Sequence, residues 1–153
     1  MNYRKQFWKI FKGSLNKNLR LNTIKIEPIN NNESLSRYIL NSNQFSRLKN
    51  IVKPSAFMPA PNLQLSVFRI KGLDQDAIWE LGEKEVVSKI IPIKTLYGMA
   101  KILSLSVKAT GLRIDPDDTP PRHANIIGWP QEKDKQKMIA IELASKASLI
   151  LKE

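Results

Sequence analysis

The chain has 153 residues, no cysteine, a single histidine and a formal net charge of +11. That length supports one domain with a real hydrophobic core, and the lack of cysteine excludes disulfide frameworks, thiolate zinc sites and cysteine nucleophiles. No apolar run approaches the ~20 residues that cross a bilayer, and the first residues lack the apolar stretch of a secretory signal, so a soluble cytoplasmic protein is expected.

The charge is unevenly spread. Residues 1–32 hold Arg4, Lys5, Lys9, Lys12, Lys17, Arg20 and Lys25 against Glu27 alone, so more than half of the net charge belongs to the N-terminal stretch. Within it Tyr3, Phe7, Phe11, Leu15 and Leu19 recur at helical spacing, with Trp8 and Ile10 beside them, which predicts a basic amphipathic helix weakened at Gly13. Such an arm suits nucleic acid, a partner's groove, peripheral contact with an anionic membrane, or packing of its aromatic stripe on the domain itself. An acid-poor amphipathic start is shared by organellar transit peptides, though this one has little serine. Ile29 to Ser34 reads as a polar linker. The expected organisation is therefore an arm and linker over 1–32, removable without unfolding the rest, and a single domain over 33–153.

Ser34 can cap a short helix through Arg37, Tyr38, Ile39 and Leu40, broken by the polar run Asn41 to Gln44. Pro54, Pro59 and Pro61 then force an extended or looping stretch. Leu63 to Ile70 alternates as a central strand, with Leu63, Leu65 and Val67 on one face and Phe68 and Ile70 on the other. After Gly72, Asp74 caps a helix that buries Ile78, Trp79, Leu81 and Val86 and ends before Pro92. Residues 93–102 read as a strand with a bulge at Gly98, and Ser104 and Gly111 bracket a two-turn helix as N-cap and C-terminal stop. A short strand, Leu112 to Ile114, feeds the acidic, proline-stiffened loop from Asp115 to Arg122, and His123 to Trp129 forms the next strand. From Pro130 onward a helix carries Ile139, Leu143, Ala147 and Ile150 as its buried stripe, with Glu142 and Lys146 paired one turn apart. These elements predict an α+β fold, a small mixed sheet of roughly three to five strands covered by helices on one side.

Val52-Lys53-Pro54-Ser55-Ala56-Phe57-Met58-Pro59, Leu65-Ser66-Val67-Phe68-Arg69 and the run from Pro120 to Pro130 resemble segments of a family of short uncharacterised bacterial proteins. The resemblance covers about residues 34–153 and leaves the arm as an addition. It implies a bacterial cytoplasmic protein and supplies no catalytic residue.

His123 is the natural candidate for proton transfer near neutral pH, and Arg122 beside it could hold a phosphate. Neighbours on a strand leave on opposite faces, however, so they need not share a site. A metal-independent ribonuclease would need a second acid–base group, for which Tyr97, Asp115 and Lys53 are the candidates. Asp115, Asp117 and Asp118 could offer oxygen to a hard divalent ion, but they lack the glycine and terminal glutamate of a calcium loop, and aspartates between prolines more often cap turns. The Glu132-Lys133-Asp134-Lys135 run does not repeat the carboxylate spacing of a metal-dependent nuclease. No Gly-rich phosphate loop is present, which leaves nucleotide hydrolysis without support, and no serine sits in a nucleophile elbow, which leaves a serine triad with little.

Arg37, Arg47, Lys49, Lys53, Arg69, Lys71, Lys101, Arg113 and Arg122 lie in sequence among Tyr38, Phe45, Phe57 and Tyr97, as a phosphate-binding and base-stacking surface requires. The expected function is a non-enzymatic binding module for nucleic acid or an acidic protein surface, without cofactor or metal. Its phosphate contacts would come from Arg4, Lys5, Lys9, Lys12, Arg37, Arg47, Lys53, Arg69 and Arg122. The alternative is a small ribonuclease-like toxin that uses His123 and Arg122.

Overall fold

The computed structural model describes residues 25–153, so the amphipathic helix expected over residues 1–20 lies outside the described residues. Among these, the strands are β1 (Ser34–Ile39), β2 (Phe45–Ser46), β3 (Ile51–Val52), β4 (Leu65–Arg69), β5 (Gly98–Leu103), β6 (Arg113–Pro116), β7 (His123–Ile127) and β8 (Ser148–Leu151). The helices are α1 (Gln75–Glu85), α2 (Ser104–Lys108) and α3 (Lys133–Lys146). A six-stranded sheet runs in the order β6-β7-β4-β1-β5-β8, and β2 and β3 form a separate two-stranded ribbon. Every pairing is antiparallel. The α+β class holds, but the sheet is larger than the expected three to five strands and is not mixed.

Strand alternation divides the core in two. One face of the sheet carries Leu35, Ile39, Leu65, Val67, Ala100, Ile102, Ala124 and Ile126, and it packs against Ala140, Leu143 and Ala144 of α3, Val107 of α2, Phe57, and the ribbon's Phe45 and Val52. The opposite face carries Tyr38, Phe68 and Met99, which meet Ile78 of α1 together with Val87 and Leu96. Helices therefore lie on both faces, not one. α1 covers the sheet over β1, β4 and β5; the same face of β7 and the start of β4 carries polar side chains instead.

Several elements differ from their sequence expectation, each for a local reason. Ser34 to Ile39 is a strand, not a helix. Leu35, Tyr38 and Ile39 have helix-like spacing, yet they are buried on two different faces of a sheet covered on both sides. The last helix stops at Lys146, and Ser148 to Leu151 pairs with β5, so Ile150 belongs to a strand and not to the helix stripe. The strand expected over 93–102 begins at Gly98, which is no bulge: a Cβ there would sit 2.3 Å from the Ile150 carbonyl oxygen, so only glycine lets β8 pass this closely. Ser104 is the first residue of α2, not its cap, and its hydroxyl donates to the Asn30 carbonyl. Other expectations hold. Asp74 caps α1 by accepting from the Ala77 amide at 2.8 Å, and Lys146 pairs with Glu142 at 3.2 Å.

The segment read as a polar linker carries hydrogen bonds to the domain. The amides of Ser104 and Leu105 donate to the carbonyls of Glu33 (2.9 Å) and Asn31 (3.1 Å), and Lys108 Nζ reaches Asn31 Oδ1 at 2.9 Å. Arg69 donates through Nη1 to the Glu27 carbonyl and pairs with Glu33, Nε to Oε1, both at 2.6 Å.

Candidate functional site

The part of the second sheet face that α1 leaves free among the described residues is built by β4 and β7. Their register places Ser66 opposite Asn125 and Phe68 opposite His123. The Arg69 amide donates to the Arg122 carbonyl at 2.7 Å. Hydrogen-bonded and open pairs alternate along an antiparallel ladder, so Ser66 and Asn125 form an open pair, with side chains close together on one face. Phe68 meets the His123 ring edge-on at a centroid distance of 5.3 Å and fixes one side of it.

The loop between β6 and β7 folds back over His123. The amides of Asp117 and Asp118 both donate to the His123 carbonyl, at 3.3 and 3.1 Å. Asp118 has φ 53 and accepts from the Arg122 amide at 2.7 Å, and Arg122 itself has φ 72. Aspartate tolerates this left-handed conformation because its side chain bonds the local backbone. The turn thereby brings the Asp117 carboxylate onto the histidine.

A hydrogen-bonded row results. Ser66 Oγ lies 2.5 Å from His123 Nε2, and His123 Nδ1 lies 2.7 Å from Asp117 Oδ1. Asp117 Oδ1 also accepts from the Thr119 amide at 3.2 Å, and Oδ2 accepts from Asn125 Nδ2 at 3.1 Å. Burial raises the Asp117 pKa, but the hydrogen bonds from His123 and the Thr119 amide and the attraction of His123 outweigh it, and the carboxyl is held below its usual range. With Asp117 ionised, Nδ1 carries a proton toward it, and in the neutral ring Nε2 is then the atom that accepts from the Ser66 hydroxyl. The His123 side chain is only 12% exposed and that of Asp117 36%, so the row is shielded but not sealed.

Serine, histidine and carboxylate therefore meet without the nucleophile elbow whose absence argued against them in the sequence. Ser66 stands in a flat strand, and its partner is 57 positions away. Alternation does place Ser66 on the face opposite Leu65 and Val67. What the sequence does not disclose is that β7 lies beside β4.

The basic residues expected to bind phosphate occupy different places. Arg37 donates through Nε and Nη1 to the carbonyls of Ala56 and Ser66, both at 3.0 Å. Arg69 pairs with Glu33. The guanidinium of Arg122 donates to the carbonyls of Arg69 (3.3 Å) and Lys71 (3.0 Å), and so is occupied away from the imidazole. Arg47 and Lys53 are exposed on and beside the β2–β3 ribbon. Arg4, Lys5, Lys9 and Lys12 lie outside the described residues. Of the proposed second acid–base groups, Asp115 shares the face of His123, being paired with Asn125. Tyr97 packs on Phe45 with the opposite core, and Lys53 is exposed.

Among the described residues no three His, Asp or Glu side chains converge as a metal site requires, and no helix is long and apolar enough to cross a membrane. Neither family models, nor curated proteins, nor solved structures give a match to the chain.

Proposed function

We propose that the protein is a hydrolase of ester or acyl bonds in which Ser66 is the nucleophile, His123 the general base and acid, and Asp117 the residue that orients and charges the imidazole. The supporting observation is the row Ser66 Oγ to His123 Nε2 at 2.5 Å and His123 Nδ1 to Asp117 Oδ1 at 2.7 Å, the arrangement that nucleophilic catalysis by serine requires on any fold. Ser66 Oγ bonds to the acyl carbon as its proton passes to Nε2. That proton then goes to the departing oxygen or nitrogen as its bond to the acyl carbon breaks. Water attacks the acyl-enzyme, delivers a proton to Nε2, and Ser66 recovers it as the acid leaves.

A fluorophosphonate probe tests this without knowledge of the substrate, since it phosphonylates only activated serines. Wild type is expected to acquire one adduct, located on Ser66 by peptide mass spectrometry. Ser66→Ala should acquire none, and His123→Ala and Asp117→Asn should react at least ~10²-fold more slowly, the latter because it loses the required tautomer. Labelling of wild type no faster than of His123→Ala would rule the reading out.

A second reading, binding of nucleic acid or another polyanion, is favoured by a separate observation. Arg47, Lys49 and Lys53 are exposed together around the ribbon, and none forms an ion pair among the described residues. Arg4, Lys5, Lys9 and Lys12, outside the described residues, would add further positive charge. The ribonuclease reading built on His123 with Arg122 has weaker support, because the Arg122 guanidinium is directed to the carbonyls of Arg69 and Lys71, whereas His123 is engaged by Ser66 and Asp117.

A further inference from the structure

The pairing of β1 with β4 joins Leu35 to Arg69 and Ser36 to Phe68 and then stops. Continued, this register would set Tyr38 against Ser66. Instead the strands part, and the Arg37 side chain enters the gap, donating to Ala56 on one side and to the Ser66 carbonyl on the other. Beside the gap lies a cavity of about 130 Å³ whose lining residues include Arg37, Tyr38, Leu40, Gln44, Ser66 and Phe68.

Arg37 forms no ion pair with any carboxylate among the described residues. Burial alone pushes its pKa down to about 10. Arg37 is half-buried and its hydrogen bonds go to neutral carbonyls; a shielded cation without a counter-charge is costly, and perturbed, unpaired charges in a cleft concentrate at functional sites. A second cation lies close by: Lys94 Nζ is 3.3 Å from Oδ1 of Asn41, a residue of the cavity wall.

We propose that this cavity is an anion subsite in which Arg37 holds a carboxylate or phosphate of the substrate, so that Ser66 attacks a small ester carrying a negative charge. The inference deepens, and rests on, the assignment of Ser66 as nucleophile. Pockets for drug-sized ligands run to roughly 300–1,000 Å³; a cavity of about 130 Å³ suits a compact oxyanion. The planar guanidinium offers carboxylate or phosphate a charge-assisted, directional hydrogen bond.

Thermal melting of the Ser66→Ala protein separates binding from chemistry. Inorganic phosphate and sodium acetate are titrated against sodium chloride at matched ionic strength, and the arm that stabilises identifies the oxyanion. At about ten times its dissociation constant the preferred anion should raise Tm by ~3 °C over chloride. The rise should vanish in Ser66→Ala/Arg37→Gln. It should vanish also in Ser66→Ala/Leu40→Phe, in which the larger side chain fills the cavity and Arg37 stays in place, so that the inference does not depend on Arg37→Gln folding. Equal Tm in all three salts, or a rise that survives Leu40→Phe, overturns the subsite. Fluorophosphonate labelling of wild type is scored independently. Labelling without anion-specific stabilisation removes the subsite and leaves the nucleophile; stabilisation without labelling keeps the anion site and removes the nucleophile.

Discussion

Glu33 and Arg69 show how a single pair ties the N-terminal segment to the sheet. The Glu33 side chain is 2% exposed and accepts from Arg69 Nε at 2.6 Å and Nη2 at 2.9 Å. Burial raises the Glu33 pKa, but the Arg69 hydrogen bond, the Asn30 amide and the Arg69 charge prevail, so the carboxyl lies below its ordinary value. A carboxyl with a lowered folded-state pKa binds fewer protons folded than unfolded. Its contribution is complete above the ordinary glutamate range and is lost as pH falls through the lowered value. Glu33→Gln is expected to cost about 1–3 kcal/mol at pH 7, since it leaves a half-buried Arg69 without its counter-charge. It should also flatten the acid limb of stability against pH in urea melts. An acid limb as steep as that of wild type would assign the acid sensitivity to other carboxylates. At this same scale the catalytic candidates were only partly legible. His123 stood out as the lone imidazole and Asp117 lay in the acidic loop, but Ser66 had no local signature. Arg122 is next to His123 in sequence, but it stands in the turn before β7 with φ 72, and its guanidinium goes to the Arg69 and Lys71 carbonyls.

The elements most clearly written in the sequence are those with local punctuation. Asp74 capping α1 and the alternation of Leu65 and Val67 against Phe68 need no knowledge of neighbours. β1 was misread because burial on both faces erases alternation, and an arginine in its middle disguises a central strand. β8 was misread because Ala147 and Ile150 continue the helical spacing of α3, whereas pairing with the edge of β5 decides their conformation. α1 docks through a close approach at Gly82, where a Cβ would meet the Tyr38 ring at 2.7 Å. That ring cannot swing clear, since it is buried and its hydroxyl donates to the Ile78 carbonyl at 2.6 Å. Alanine normally gains ~1 kcal/mol over glycine in a helix, but overpacking costs roughly 1–3 kcal/mol. Gly82→Ala should therefore be net destabilising in a denaturant titration; a neutral or stabilising result would show that α1 slides without penalty. Removal of residues 1–24 is expected to leave Tm within ~2 °C, whereas removal through Glu33 deletes the Arg69 partner and the carbonyls that cap α2, and should lower Tm by ~5 °C or more. Equal melting of the two truncations would show that the bonds to Glu27, Asn31 and Glu33 contribute nothing measurable.

The whole molecule separates its two candidate activities onto opposite sides of one sheet. The ribbon's Phe45 and Val52 pack with α3 against the face bearing Leu65 and Val67, and Arg47, Lys49 and Lys53 surround that ribbon. Ser66 and His123 leave the opposite face, and about half of the charge that would attract a polyanion belongs to residues 1–32. If the protein binds RNA through these cations, released counterions should make log K fall linearly with log salt concentration, with a slope near −0.7 for each phosphate neutralised on a single strand. Arg47→Gln/Lys53→Gln should shallow that slope by roughly one to two contacts, and removal of residues 1–24 should shallow it further. The layering makes a stronger demand than the slope. The ribbon cations and the Ser66 hydroxyl leave opposite faces, so saturating RNA at low salt should leave the rate of fluorophosphonate labelling within about twofold of its value without RNA. Protection of Ser66 by RNA would instead place the polyanion on the His123 face, and it would join binding and chemistry into a single site that acts on nucleic acid.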